Sequence, residues 1–249
     1  MIKDLDSRLL ELSDAATTDL VAPPVDDQDY TCGRCRTYTD RLSSDCWNCV
    51  QNRQRLGSPS LRLDMISLYK KPSHLRDLLT QYKGRTDGSE PYIEEYVPVV
   101  QALIARFLHE HGARIQSREP IDVISFVPST SRPRPHPLQA VLGELQLEVP
   151  VEALLERGTG QLDYNKPSTD AFVASKSQHS RVYLIDDVYT TGARINSAAA
   201  ALRSAGFTVA GAFVIARRVN IGYKKSPEFW STQEGKEFSW KTSPIVSGM

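Results

Sequence analysis

Two adjacent carboxylates, Asp186 and Asp187, follow the apolar run Val182-Tyr183-Leu184-Ile185 and precede Val188-Tyr189-Thr190-Thr191-Gly192-Ala193-Arg194. Like charges repel, so the two aspartates are poor partners for a phosphate. They are good acceptors for neutral hydroxyls, and a ribose offers two adjacent ones. The hydroxyls of Thr190 and Thr191 stand where a helix N-cap belongs. A helix start presents unpaired N–H groups and the positive end of the helix dipole, which suit an anion, and Gly192 lets the backbone approach it. The combination predicts a cradle for a ribose 5-phosphate, with Asp186 and Asp187 on the sugar and Thr190 to Arg194 on the phosphate.

Two further groups have chemical potential. The apolar segment Ile121 to Val127 ends in Pro128-Ser129-Thr130-Ser131-Arg132, a loop with three hydroxyls, backbone amides and a cation. Ser129, Thr130 and Arg132 are candidates for a second anion, although an ordinary polar loop has the same composition. The chain's four cysteines are Cys32, Cys35, Cys46 and Cys49, spaced C-x2-C-x10-C-x2-C. Two close pairs across a short loop suit a tetrahedral zinc site filled by protein sulfurs, which is structural because no position remains for water. Two disulfides are the competing reading, and an intracellular chain disfavours them.

The Asp186-to-Arg194 stretch resembles the phosphoribosyl pyrophosphate (PRPP) motif of the type I phosphoribosyltransferases. That resemblance implies acidic residues on the ribose hydroxyls, the Thr-Thr-Gly turn on the 5-phosphate, and pyrophosphate at the Ser129 loop. With the cysteine module, Tyr82-Lys83 and the Val-Pro-Ser loop, residues 30–218 are similar to the ComF family, some members of which are tied to competence and DNA uptake. Arg157, Gln161, Asn165 and Phe172 resemble a shortened hood region. The implied chemistry is Mg²⁺-dependent displacement of pyrophosphate at the anomeric carbon. Purine-salvage relatives carry an acidic residue where this chain has Thr190, which cannot act as that base.

The elements that must position these groups follow from periodicity. Val182 to Ile185 fits a strand buried on both faces, with the strand spanning 181–186. Ile195, Ala198, Ala199, Leu202 and Ala205 share one helical face over 193–205, and Gly206 ends that helix. Helices are expected over 72–83, from Pro98 and from His136-Pro137, and strands over Ile121–Val127 and 207–216, with a short one at Val149–Val151. Strands alternating with helices imply an α/β fold with a parallel sheet, the type I phosphoribosyltransferase fold on the resemblance, plus a small amino-terminal zinc-ribbon-like module. The expected divisions are 1–29, an acidic helix with Leu5, Leu9 and Leu12 on one side, and a linker; 30–52, the cysteine module; 53–219, the main domain; and 220–249, a carboxyl-terminal surface arm. Residues 156–180 read as a long loop or hood.

The 249 residues carry no formal net charge, so the overall balance selects no partner. The distribution is uneven: residues 1–31 hold two basic and eight acidic side chains, and 32–85 hold eleven and four. Arg34, Arg36, Arg41, Arg53, Arg55 and Arg62, with Trp47 for stacking, make nucleic acid a candidate partner of the cysteine module. No segment is apolar enough to span a membrane and no leader pattern is visible, so a cytoplasmic protein is expected. Three uses remain open: phosphoribosyl transfer to a nitrogenous acceptor, non-catalytic PRPP or nucleotide sensing, and a zinc-module adaptor. The acceptor and the oligomeric state leave no mark on the sequence.

Overall fold

The structure, a computed structural model, describes residues 1–25, 28–40, 45–59, 61–129 and 136–248. Its centre is a four-stranded sheet of β1 (Leu63–Tyr69), β2 (Val123–Phe126), β5 (Arg181–Tyr189) and β6 (Thr208–Arg218), in the order β1-β6-β5-β2. Every pairing is parallel. Val151 adds a parallel bridge to Ile124 outside β2, so the expected strand at 149–151 is reduced to a single bridge.

Both faces of the sheet are covered, as parallel sheets require. Tyr183, Ile185, Phe213 and Ile215 turn to one layer with α3 (His74–Gln81), α4 (Tyr96–Arg118) and α5 (Pro137–Gly143). Phe107 of α4 stacks on Phe213 at 4.3 Å between ring centroids. Val182, Leu184, Ala212 and Val214 turn to the other layer, against Ile195, Ala198, Ala199 and Leu202 of α6 (Ala193–Ser204). Helix α1 (Ser7–Ala15) is capped by Asp6, whose carboxylate accepts the Arg8 N–H at 2.7 Å. Leu5 and Leu9 pack on the first layer, and the Met1 ammonium pairs with Glu148 at 3.0 Å.

Three segments depart from the sequence reading. Residues 63–69 form β1, a buried edge strand that the pattern does not announce, because Asp64 and Ser67 interrupt its apolar run. Residues 220–248 pack onto the body rather than lying free on its surface: α7 (Ser226–Glu234) buries Phe229 and Trp230, Trp240 joins the first layer, and Ile245 bridges antiparallel to Met65. The tail and Val21, which bridges to Leu68, cover the outer edge of β1. The hood is partly ordered as an antiparallel pair, β3 (Leu155–Arg157) and β4 (Phe172–Ala174). Arg157 fastens the intervening loop by donating to Ala171 O at 2.8 Å, while its guanidinium lies over the Phe172 ring.

The anchor of β1 is a buried ion pair. Arg118 donates twice to Asp64, at 2.8 and 3.0 Å, and the Tyr183 hydroxyl and the Ser247 N–H complete the shell at 2.7 and 2.8 Å. Four donors on one buried carboxylate offset its desolvation and join strand, helix and tail.

Candidate functional site: a glycine turn welded to a cysteine cluster

Parallel strands end on one edge, and ligands of open α/β sheets bind beyond that edge. Here the ends of β1, β5 and β6 bring Lys71, Asp186 to Arg194 and Arg218 around one cavity of about 420 Å³. Strand β5 runs through Asp186 and Asp187 to Tyr189, beyond the expected end at residue 186. Both aspartates are buried. Burial pushes the Asp186 carboxyl up to about 7, against the pull of Arg194. Burial also opposes ionisation of Asp187, but the Lys83 ammonium beside it outweighs burial and holds that carboxyl below its usual range. One acid is thus poised to keep its proton and its neighbour to lose it.

Gly192, in the left-handed conformation at φ +81°, precedes α6 as its cap, so neither threonine is the N-cap. A Cβ there would lie 2.0 Å from the Tyr189 hydroxyl, which explains the glycine. Thr191 donates its hydroxyl to Tyr164 O of the hood. Arg194 donates to Val127 O and Pro128 O at 3.2 and 2.9 Å, and its Nε lies 4.0 Å from Asp186. It therefore ties the start of α6 to the end of β2 while lining the same cavity. Of the second loop's three candidate residues only Ser129 is described; Thr130 and Arg132 lie outside the described residues.

Sequence reasoning missed Tyr69, Lys71, Arg76 and Thr80, which line the same cavity. They come with β1 and α3, and the Lys70-Lys71 pair at the strand's end was the available signal. Lys71 has its ammonium form disfavoured by burial and then by Arg218 and Arg76. An anion among these three cations would relieve their repulsion.

The ligand atoms of Cys32, Cys35, Cys46 and Cys49 all lie within 4.8 Å of one another. The approaches of 3.8 Å (Cys32 to Cys49) and 3.7 Å (Cys35 to Cys46) are too long for disulfides and suit a shared metal such as zinc. In the first knuckle Cys32 N–H donates to Thr37 O at 2.8 Å, and the left-handed residue is Arg36, not Gly33. Cys46 caps α2 (Trp47–Leu56), which carries Cys49.

The cluster is packed into the main body. The Tyr189 hydroxyl lies 3.9 Å from Cys49 Sγ, and Asn52 donates to Thr191 O at 2.9 Å. Buried Arg217 donates to Cys35 O at 3.1 Å and to Thr190 O at 2.6 Å. The cysteine module and the turn at residues 190–192 are thus joined by direct hydrogen bonds. The module's basic surface is partly neutralised: Arg34 and Arg53 both reach Asp45, Arg62 pairs with Glu119, and Arg36 is buried.

No family model and no curated protein matches the chain. Among solved structures it is similar to UMP synthase of Leishmania donovani, at 19% identity over 66% of this chain with a TM-score of 0.35, and it spans 34% of that protein's length. It is also similar to adenine phosphoribosyltransferase from Leishmania tarentolae, at 14% identity, 64% of this chain, 93% of that chain and a TM-score of 0.33. Orotate phosphoribosyltransferase from Aeropyrum pernix gives 20% identity, 64% of this chain, 87% of that chain and a TM-score of 0.34. Similarity at this level carries no argument about activity, which must rest on the site's own residues.

Proposed function

We propose that this chain binds PRPP at the carboxyl edge of its sheet and transfers the phosphoribosyl group to a nitrogenous acceptor. The observation that carries the reading is the sequence Asp186-Asp187 to Gly192 at the end of β5, with two buried carboxylates followed by a glycine turn into α6. The carboxylates meet the ribose hydroxyls, and the turn's amides meet the 5-phosphate. Lys71 and Arg76 line the same cavity and supply positive charge for the pyrophosphate. Asp187, kept ionised by Lys83, stabilises positive charge on the ribose ring as the anomeric bond to pyrophosphate loosens. Thr190 offers no base, so the acceptor's proton leaves to solvent.

Mg²⁺ would be held by the substrate's phosphate oxygens, with Asp186 and Asp187 nearby on the ribose, and would supply charge to neutralise the leaving group. The four cysteines fit zinc as a structural ion.

Calorimetric titration of PRPP with Mg²⁺ tests the reading: the wild-type chain binds, and the Asp186→Asn/Asp187→Asn variant loses the affinity. Unchanged affinity in that variant removes the site assignment. Pyrophosphate release with a nitrogenous base then separates transfer from PRPP sensing. The DNA-uptake role that a ComF-like chain would have is a narrower proposal. The pairing of Arg34 and Arg53 with Asp45 weighs against strong phosphate-backbone binding by the module, and a salt titration with single-stranded DNA measures it.

A further inference from the structure

A second cavity of about 290 Å³ adjoins the first and shares Tyr164, Thr190 and Arg218 with it. Its walls come from three parts of the chain: Trp47 and Asn48 of the cysteine module, Tyr164 and Asn165 of the hood, and Arg218 at the end of β6 with Tyr223 beyond it. Three aromatic side chains around it are exposed, Trp47 at 59%, Tyr164 at 56% and Tyr223 at 44%. Large rings left in water around one cavity, between amides able to donate and accept, form a surface for a flat polar ring. Nε of Arg218 is buried without a hydrogen-bond partner among the described residues.

Resting on the PRPP reading, we propose that this second cavity is the acceptor site, and that it takes a small planar nitrogen heterocycle bearing a carbonyl or carboxylate. The ring stacks on the Trp47 and Tyr164 side chains, Asn48 and Asn165 read its edge, and Arg218 meets its oxygen substituent. The cysteine module is then half of the acceptor site rather than an appendage. In the reaction a ring nitrogen lone pair forms a bond to the anomeric carbon, the bond from that carbon to the pyrophosphate oxygen breaks, and its electron pair leaves with pyrophosphate. The ring N–H proton passes to water, so no oxidant or reductant is needed.

Trp230 and Trp240 are each 5% exposed, so Trp47 is the tryptophan that a ligand in this cavity quenches. The zinc-loaded full chain is titrated with adenine, uracil, orotate, nicotinate and a short oligothymidine, each with and without PRPP and Mg²⁺. At least one small heterocycle is expected to quench saturably and to bind more tightly with PRPP present. By calorimetry its affinity falls about tenfold in Trp47→Ala, the effect of losing one stacked ring, and also falls in Asn165→Ala, while PRPP affinity stays within about twofold and zinc content is unchanged. Tyr223→Ala, which alters no side chain of the cysteine module itself, gives the same result if Trp47→Ala loses zinc. Quenching by oligothymidine alone, by none of the heterocycles, or undiminished heterocycle affinity in Trp47→Ala and Tyr223→Ala overturns the proposal. Failure of PRPP itself to bind the wild-type chain overturns the function proposed above, and heterocycle binding without PRPP is still read separately.

Discussion

The Tyr189 hydroxyl stands 3.9 Å from Cys49 Sγ, and any side chain on Gly192 would strike that same hydroxyl. One tyrosine therefore touches the cysteine cluster on one side and the Gly192 turn on the other. Asn52 and Arg217 repeat the connection through Thr191 O and Thr190 O. Removing the metal should loosen residues 189–192 before it unfolds the sheet. Hydrogen exchange after chelation is expected to speed up at these amides while those of β5 and β6 stay protected. Equal exchange with and without metal would show that the turn stands independently.

Asn52→Ala isolates one of these links with the cysteines intact. Asn52 is buried and its amide donates to Thr191 O. Leaving a buried carbonyl unpaired costs about 1–3 kcal/mol. Urea unfolding should register that loss, with weaker PRPP binding and full zinc content. Stability within a few tenths of a kcal/mol of wild type would mean that water replaces the amide.

Gly192→Ala meets two penalties. The φ of +81° disfavours any side chain, and the added Cβ overlaps both the hydroxyl oxygen and the adjoining ring carbon of Tyr189, at 2.0 and 2.3 Å. The backbone strain alone is about 1–3 kcal/mol. Tyr189→Phe should not rescue the variant, because the ring carbon remains, whereas Tyr189→Ala should recover part of the loss. Full rescue by phenylalanine, read from thermal melts, would contradict this packing.

The motif around Asp186 and the cysteine spacing are local in sequence, so residue type and order suffice to read them. Helices α3 to α6 are legible because each has an apolar face with its own period. Strand β1 is not, since its acceptability depends on distant partners: Asp64 is buried only because Arg118, Tyr183 and Ser247 reach it. The tail is opaque for the same reason, for Ile245 has no pattern until Met65 lies beside it. Losing β1 from the sequence reading also loses Lys71 at its end, whereas Arg76 sits on the legible helix α3 and gains its meaning only from the cavity it lines. The bonds of Arg194 to Val127 O and Pro128 O are equally invisible in the sequence, since they span more than sixty residues.

Breaking the Asp64 shell should be among the costliest single changes. Arg118→Leu leaves a buried carboxylate with two donors instead of four, and loss of one partner of a buried pair costs about 3–5 kcal/mol. Replacing both partners, as Asp64→Leu with Arg118→Leu, should cost less than the sum of the single changes. A double-mutant cycle by urea unfolding reads the difference; strict additivity would show that the pair does not interact.

Asp186 gives the ligand-free protein a defined pH dependence. Its carboxyl is pushed up to about 7 by burial, while an aspartate in the unfolded chain titrates near 4. Between roughly pH 4 and 7 the folded state holds a proton that the unfolded state has released, so this group's contribution to stability falls as pH rises and levels off above about 7. The slope is at most about 1.4 kcal/mol per pH unit. Asp187, held below its usual range chiefly because Lys83 outweighs its burial, has the opposite sign: its contribution is present above about pH 4 and is lost on acidification below that. Asp186→Asn should therefore flatten the decline between pH 5 and 7.5 and leave the variant more stable than wild type at the upper end. Urea unfolding at these two pH values, without PRPP or Mg²⁺, makes the comparison. A wild-type slope that survives the substitution would mean that Asp186 is already ionised in the folded protein, stabilised by Arg194 more strongly than burial opposes it.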